Sequence, residues 1–215
     1  MEPQRPFVPA LGFPSLTALY EPLISRWGAA TRMRASVIDA LNLQPGMRLL
    51  ELGAGPGRLA IEIKREYPTV TIDAVDADVA MVRRARRNAA LAGVEIAIHE
   101  ADMSRLPGLG TFDRVYSTMT FHHLLPEAKQ AALTAARTVL RPGGSFVVGD
   151  FGRPRDALQW VLFSWIQQPL DGFQNTRPHR DGGYERAVRD TFRQVQSVAV
   201  WRTIAGTLEI FVCTP

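Results

Sequence analysis

Cysteine is nearly absent from this 215-residue chain, whose one cysteine is Cys213. A lone cysteine excludes an internal disulfide and a clustered-cysteine metal site. Lysine is almost as scarce, because only Lys64 and Lys129 occur and the other basic side chains are arginines. No apolar run approaches the ~18 residues of a membrane span, and the N-terminus lacks the basic start and apolar core of a signal peptide. We therefore expect a cytoplasmic protein with no membrane span.

The basic residues do not have the pattern of a nucleic-acid-binding surface. The net charge is +4 and the pI about 9.7, and the densest basic cluster is Arg83, Arg84, Arg86 and Arg87. A nucleic-acid surface would interleave basic with aromatic side chains, and no aromatic residue interrupts this cluster. We interpret it as the solvated face of a helix and expect no nucleic-acid partner.

The stretch from 47 to 76 organises the chain and reads MRLLELGAGPGRLAIEIKREYPTVTIDAVD. Its apolar runs predict two strands, its glycines a tight turn between them, and the periodic pattern after the turn a helix. Glycines allow positive φ and leave bare backbone for a ligand, while the first N–H groups of the helix point into the turn. Asp76, at the end of the second strand, can accept both hydroxyls of a ribose. The stretch is therefore the first half of a nucleotide-binding βαβ unit.

The glycine spacing distinguishes between two cofactors. A dinucleotide fingerprint needs G-x-G-x-x-G, but Arg58 stands at the place of its third glycine and the pattern ends at Gly57. The carboxylate of Glu51, at the mouth of the turn, would repel a pyrophosphate and attract an ammonium group. The turn therefore favours a cofactor with an amino-acid part over a nicotinamide dinucleotide.

Strands and helices alternate through the rest of the chain and predict a doubly wound parallel sheet. The predicted elements are helices at Ser15–Trp27, Thr31–Leu41, Asp78–Ala92, Pro126–Leu140, Arg155–Leu170 and Tyr184–Phe192, a loop at Asp171–Gly183, strands at Val94–Ile98, Phe112–Ser117 and Ser145–Gly149, and an edge hairpin of Gln194–Thr203 and Thr207–Cys213. In such sheets a ligand sits beyond the carboxyl ends of the strands. The polar residues expected there are Glu51, Asp76, Asp102, Ser117 and Asp150.

Four segments resemble the class I S-adenosylmethionine (SAM) methyltransferases, and within them the UbiE-like group that acts on small molecules. These segments are E-L-G-A-G-P-G (51–57), H-E-A-D-M-S-R-L-P (99–107), F-D-R-V-Y-S-T-M-T-F-H-H-L-L-P (112–126) and R-P-G-G (141–144). The resemblance implies a Rossmann-like α/β fold, that is, a doubly wound, mostly parallel seven-stranded sheet with an N-terminal helical cap. We expect residues 1–215 to form one methyltransferase domain, with an arm and helical lid (1–43), a SAM-binding core (44–151) and a substrate-side part (152–215).

The resemblance also implies SAM as cofactor and S-adenosylhomocysteine as product. The implied cofactor-binding residues are Glu51, Gly53, Ala54, Gly55, Gly57, Asp76, Ala77, Asp102, Met103 and Ser117. Glu51 and the turn would contact the methionine part, Asp76 the ribose, and Ala77, Asp102 and Met103 the adenine. Two alternatives stay open, because Asp102 is also a good turn cap and Met103 is also a good core residue.

His122, His123 and Tyr20 are the candidate catalytic residues. SAM carries an activated methyl group, so the protein has to position a nucleophile and, where needed, accept its proton. A neutral imidazole after the fourth strand can do the latter; the alternative is a packing role for the H-H-L segment. Tyr20 would act from the N-terminal lid, and His179 with Arg180 would hold an anionic group of the substrate. We expect no metal, because adjacent histidines do not easily share one ion.

These features favour methyl transfer to a small, aromatic or lipophilic acceptor. The base-methylating enzymes carry an N-P-P-Y-like segment or a Pro-Cys nucleophile, whereas this chain has S-T-M-T at 117–120 and its cysteine near the C-terminus. The alternatives are a SAM-binding protein without methyl transfer and, third, a nicotinamide oxidoreductase. The aromatic-rich helix at 155–170 is interpreted as core, as a homodimer contact or as a lining for a lipophilic substrate.

Overall fold

The computed structural model describes residues 29–106, 108–203 and 206–215. The helices are Ala29–Leu41 (α1), Arg58–Glu66 (α2), Val79–Ala92 (α3), Pro126–Thr138 (α4), Ala157–Leu162 (α5), Gln168–Asp171 (α6), Phe173–Arg180 (α7) and Gly183–Thr191 (α8). A 3-10 turn, Phe121–His123, follows the fourth strand, and a π-helical segment, Phe163–Gln167, joins α5 to α6. The helix predicted at 15–27, with Tyr20, lies outside the described residues.

One mixed sheet contains seven strands and confirms the predicted architecture. The strands are Arg48–Leu52 (β1), Thr71–Asp76 (β2), Ala97–Glu100 (β3), Phe112–Thr118 (β4), Leu140–Gly152 (β5), Gln194–Thr203 (β6) and Gly206–Thr214 (β7). Their order is β3-β2-β1-β4-β5-β7-β6. The first five are parallel, and β7 joins antiparallel to both β5 and β6. The predicted hairpin therefore closes one edge of the sheet.

The two faces of the sheet bury alternate residues of the same strands. Val115 and Phe146 pack with α4 and α8 on one face. Tyr116 and Val147, each one residue further on, pack with α1 and α2 on the other. This alternation is the two-residue period of a strand. The residues predicted to face inward from α1 are buried, namely Met33, Val37, Ile38 and Leu41.

Helix α3 begins and ends where its capping residues predict, and its end moves the next strand. Asp78 accepts from the N–H groups of the first turn, and Gly93 is left-handed with φ 67°. The N–H of Val94 donates to the carbonyl of Ala89, as in a glycine-terminated helix end. Val94 therefore belongs to the cap, and the strand predicted at Val94–Ile98 lies instead at Ala97–Glu100.

The predicted loop at 171–183 is wrong, because its centre forms helix α7. Gly172 has φ 90° and turns the chain between α6 and α7, and its carbonyl accepts from the N–H of Thr176. Pro178 lies inside α7, where a proline removes one helical hydrogen bond. Thr176 and His179 are nevertheless buried, and His179 bonds to the carbonyl of Phe151 in β5. Tertiary packing has overridden a local turn signal.

Strand β5 is longer than the predicted 145–149 and includes Asp150. Asp150 pairs with Glu209 of β7, so antiparallel pairing extends β5 beyond the ends of its parallel neighbours. None of the helices in the described ranges is both long and apolar enough to cross a bilayer.

Candidate functional site

The turn between β1 and α2 is fixed to the end of β2. The N–H groups of Gly53 and Ala54 both donate to the carbonyl of Val75, at 2.9 and 3.0 Å. The next free N–H, of Gly55, donates to Oδ2 of Asp76 at 2.7 Å. The predicted turn and the predicted acid therefore meet at the carboxyl edge of the sheet.

The three glycines of the turn have different neighbours, although all have positive φ. A Cβ added to Gly55 would meet nothing within 4 Å, so this backbone faces open space. A Cβ on Gly57 would lie 3.2 Å from Cβ of Ala85, and one on Gly53 would lie 2.2 Å from Cγ2 of Thr120. Gly55 is thus placed to meet a ligand, whereas Gly57 allows α2 to approach α3, and Gly53 allows the turn to approach the segment after β4.

Glu51 is a buried acid one residue before the end of β1, with 2% of its surface exposed. Burial and then the carboxylate of Asp76 raise the pKa of Glu51 from 4.5 to about 8, so the group is protonated at neutral pH. Tyr116 pairs with it on β4 and is also buried. Neither Oε2 of Glu51 nor the Tyr116 hydroxyl has a hydrogen-bond partner in the described ranges. An unsatisfied buried oxygen is costly, and a cationic ligand group would relieve that cost.

The carboxylate of Asp76 is held by backbone on both sides. Its Oδ2 accepts from Gly55, and its Oδ1 accepts from the N–H of Asp78 at 2.9 Å. Each oxygen keeps a second lone pair, so two ribose hydroxyls can still donate to it. Ala77, the predicted adenine neighbour, is exposed beside it.

Asp102 and Met103 follow β3 at the same edge. Oδ1 of Asp102 accepts from the N–H and the hydroxyl of Ser104, both at 2.8 Å, so Asp102 does cap a turn. One oxygen makes both bonds, and the exposed carboxylate keeps acceptor capacity for an adenine amino group. Met103 is 7% exposed and packs in the core. The adenine contacts of both residues stay predictions.

Ser117 has a different role from the predicted cofactor contact. Its side chain is fully buried, and its hydroxyl donates to the carbonyl of Leu52 at 2.8 Å, which ties β4 to β1. The residue that reaches the glycine turn is Thr120. Its Oγ1 lies 3.2 Å from the carbonyl oxygen of Gly53 and 3.0 Å from that of Thr118, and its single proton can donate to either. Met119, between them, has φ 51°, an unusual conformation for a side chain of its size. The sequence signal for Thr120 was its place in the S-T-M-T segment.

His122 and Asp150 form a buried pair after β4. Nδ1 of His122 lies 2.7 Å from Oδ1 of Asp150, which also accepts from the N–H of Phe151. Since a carboxylate only accepts, Nδ1 carries the proton and Nε2 points away from Asp150. Burial lowers the pKa of His122, but Asp150 outweighs it and raises the pKa above 6.5. Sequence reasoning gave Asp150 no partner, because 28 residues separate the two side chains.

His123 differs in environment from its neighbour. Burial and then the adjacent His122 lower the pKa of His123 to about 3, so its imidazole is neutral and weakly basic. The two rings lie 3.9 Å apart, because a 3-10 turn does not point adjacent side chains in opposite directions as a strand does. Both rings approach Asp171 at the end of α6. Asp171 was predicted to begin a loop and carried no sequence signal for this position.

His179 was predicted to hold an anionic substrate group from an exposed loop, and this expectation is wrong. The residue lies in α7, is 1% exposed and donates from Nδ1 to the carbonyl of Phe151 at 2.6 Å. Burial lowers its pKa to about 3. A neutral, buried imidazole does not bind an anion from solvent.

The residues at the turn fit SAM. Gly55 offers open backbone, Glu51 a buried oxygen without a hydrogen-bond partner in the described ranges, and Asp76 a carboxylate already oriented at the strand ends. Together these groups suit a ligand in which an amino acid is joined to a ribose, as in SAM. Two clefts elsewhere in the described ranges, one beside Ile38 and Glu62 and one beside Arg114, are lined by none of the predicted cofactor-binding residues or catalytic histidines.

Comparisons with known proteins agree with this geometry. A family model described as a methyltransferase domain matches residues 49–144. A methyltransferase of Mycobacterium tuberculosis is 34% identical over 142 residues, which cover 65% of this chain and 68% of the relative. A demethylmenaquinone methyltransferase of Thermus thermophilus is 34% identical over 146 residues, 67% of this chain and 66% of that protein.

The fold has close counterparts among solved structures. The apo crystal structure of the SAM-dependent methyltransferase SibL has a TM-score of 0.71 at 19% identity, over 94% of this chain and 60% of SibL. This likeness supports the fold, while the curated relatives and the matched family model support the family. The chain belongs to the class I S-adenosylmethionine-dependent methyltransferases.

Proposed function

We propose that this methyltransferase acts on a small lipophilic or aromatic acceptor, which meets the histidines after β4. The observation that carries the proposal is the link from Gly53 through Thr120 to His122. This link puts the buried polar cluster beside the cofactor turn. When bound, SAM supplies a methyl group on a sulfonium. The chain's own task is to orient the acceptor atom in line and to exclude water.

Exposed apolar side chains on the segments that flank Asp171 in the chain support an apolar acceptor. Helix α5, the π-helical segment and α7 carry exposed Leu158, Trp165 and Phe173, at 65%, 78% and 60% exposure. Large exposed apolar side chains that occur together are typical of binding surfaces. The Thermus relative acts, by its name, on demethylmenaquinone, a ligand of this character. A homodimer contact on the same surface is the alternative.

An acceptor screen tests the proposal. Purified protein with SAM would be offered demethylmenaquinone, a lipophilic phenol, an RNA and an unstructured peptide, and S-adenosylhomocysteine would be quantified. We expect product with one or both lipophilic compounds and background with the two polymers. Turnover with RNA or peptide alone would contradict the proposal.

A matched pair of variants tests the apolar surface. Trp165→Glu should raise the KM for a lipophilic acceptor about tenfold or more, because it puts a charge among the exposed apolar side chains that are proposed to bind the acceptor. Leu91→Glu on α3 is the control, since Leu91 is equally exposed at 77% but lies on another helix. If Trp165→Glu has the same KM as Leu91→Glu, these apolar side chains do not bind the acceptor. If wild type is a dimer and Trp165→Glu is a monomer, the alternative of a homodimer contact is favoured.

A further inference from the structure

Three side chains that commonly bind metals converge beside β4. Nε2 of His122 lies 3.7 Å from Oδ2 of Asp171, and Nδ1 of His123 lies 3.9 Å from Oδ1 of the same carboxylate. One ligating atom from each residue falls within 4.8 Å of the other two. Distances of 3.7 and 3.9 Å are too long for hydrogen bonds. The three groups surround a common point without bonding one another.

Their spacing is close to that of a metal site. Ligand atoms about 2.1 Å from a tetrahedral or octahedral ion lie roughly 3.0–3.5 Å apart. The separations of 3.7 and 3.9 Å exceed this range by a few tenths of an ångström, but they end on different oxygens of Asp171. With one ligand atom taken from each residue, the three atoms lie within 4.8 Å of one another. Binding of one ion therefore requires the side chains to move together by about 1 Å at the widest separation.

Hydrogen bonds orient two of the three side chains and fix the backbone of the third residue. Asp150 accepts from Nδ1 of His122 and directs its Nε2 lone pair away, which is the carboxylate–histidine arrangement found behind metal ligands. Asn175 donates to the backbone carbonyl of His123 at 2.9 Å and fixes that turn. Gln167 donates to Oδ2 of Asp171. The side chains of His122 and Asp171 are therefore held in place, and the imidazole of His123 is positioned through its backbone.

Access to the cluster is from one side. The side chains of His122 and Asp171 are 4% and 7% exposed, whereas that of His123 is 33% exposed. An ion held by three protein ligands keeps positions open for an exogenous ligand, and here these positions would face the open side. The adjacent histidines, expected to be unable to share an ion, are brought together by the 3-10 turn.

We propose that His122, His123 and Asp171 bind one divalent first-row transition-metal ion. Two imidazoles with one carboxylate suit Zn²⁺, Fe²⁺, Co²⁺ or Mn²⁺, whereas Mg²⁺ and Ca²⁺ prefer oxygen ligands throughout. As a consequence that rests on the proposed function, the ion would bind an oxygen of the acceptor and orient it. The metal site itself stands independently of methyl transfer.

Cobalt binding tests the site directly. Full-length protein, freed of metal by chelator dialysis, would be titrated with Co²⁺ and followed by visible absorption, with Zn²⁺ as competitor and Mg²⁺ as control. We expect one equivalent of Co²⁺, displaced by Zn²⁺ and not by equimolar Mg²⁺. Absence of saturable Co²⁺ binding would overturn the proposal.

Variants assign the ligands. His123→Gln and Asp171→Asn should each weaken Co²⁺ binding by more than about tenfold. His99→Gln is the matched control, because His99 also lies against a carboxylate, 2.8 Å from Asp73, but has no second histidine. Binding lost only in His99→Gln, or unchanged in both site variants, would show an adventitious ion. The urea midpoint of each variant checks that it is folded. The affinity of His123→Gln for S-adenosylhomocysteine should be unchanged, so that a loss of Co²⁺ binding can be told apart from a loss of cofactor binding.

Discussion

Replacement of Glu51 by Gln should remove a pH-dependent loss of stability. Burial raises the pKa of Glu51 from 4.5 in the unfolded chain to about 8 in the folded protein. Between these values the unfolded state has lost a proton that the folded state keeps, so the free energy of unfolding falls as the pH rises. At about 1.4 kcal/mol per pK unit, the loss reaches at most about 5 kcal/mol by pH 8.

Urea denaturation at pH 5 and pH 8 measures this effect. Gln has the shape of protonated Glu, so the two proteins should have similar unfolding free energies at pH 5. At pH 8 the variant should be more stable by several kcal/mol, because it has no proton to lose. Parallel pH profiles for the two proteins would refute the assignment of a raised pKa to Glu51.

Cofactor binding gives a second test of the raised pKa of Glu51. An ammonium group beside Glu51 would favour its ionised form, so SAM binding at pH 7 should release a proton from this residue. Calorimetry in buffers of different ionisation enthalpy would detect up to about one more proton released by wild type than by Glu51→Gln. Equal proton release by the two proteins would show that Glu51 does not contact the ammonium group of SAM.

Two further predictions test how the site is divided between binding and structure. Gly55→Ala and Gly57→Ala should each lower the free energy of unfolding by roughly 1–2 kcal/mol, because both residues are left-handed. Only Gly55→Ala should also lower the SAM affinity of the folded protein, since its Cβ would enter the open space at the turn. Equal affinities, measured by calorimetry on samples with matched folded fractions, would contradict the distinction. Ser117→Ala should lower the free energy of unfolding by about 1 kcal/mol, measured by urea denaturation, because the bond to Leu52 is lost. Its affinity for S-adenosylhomocysteine should be unchanged, and a tenfold loss of affinity would show that Ser117 contacts the cofactor.

Local signals predicted those parts of the fold that depend on neighbouring residues. Asp78 and Gly93 set the limits of α3 because a cap involves residues within one turn. The same logic failed for α7, where burial of Thr176 and His179 against distant residues overcame the turn signal of Gly172 and Pro178.

The candidate site divides in the same way. The turn with Gly55 and Asp76 lies within one βαβ unit, so spacing alone was enough to bring the two together. The partners of His122 come from β5 and from the end of α6, and they meet only after the chain has crossed the sheet. No local pattern marks Asp171, which explains why the sequence predicted the histidines without their carboxylates.

Calorimetric titration of wild-type protein and Asp76→Ala with S-adenosylhomocysteine tests whether the glycine turn and Asp76 bind the cofactor. We expect wild type to bind this ligand and not NADH. The variant should lose on the order of 1–3 kcal/mol of binding free energy, because charge-assisted bonds to the ribose are removed. The fold of the variant would be checked by its urea midpoint, since Asp76 also accepts from Gly55. Unchanged affinity in a folded variant, or binding of NADH in place of S-adenosylhomocysteine, would contradict the claim that the glycine turn and Asp76 form the SAM site.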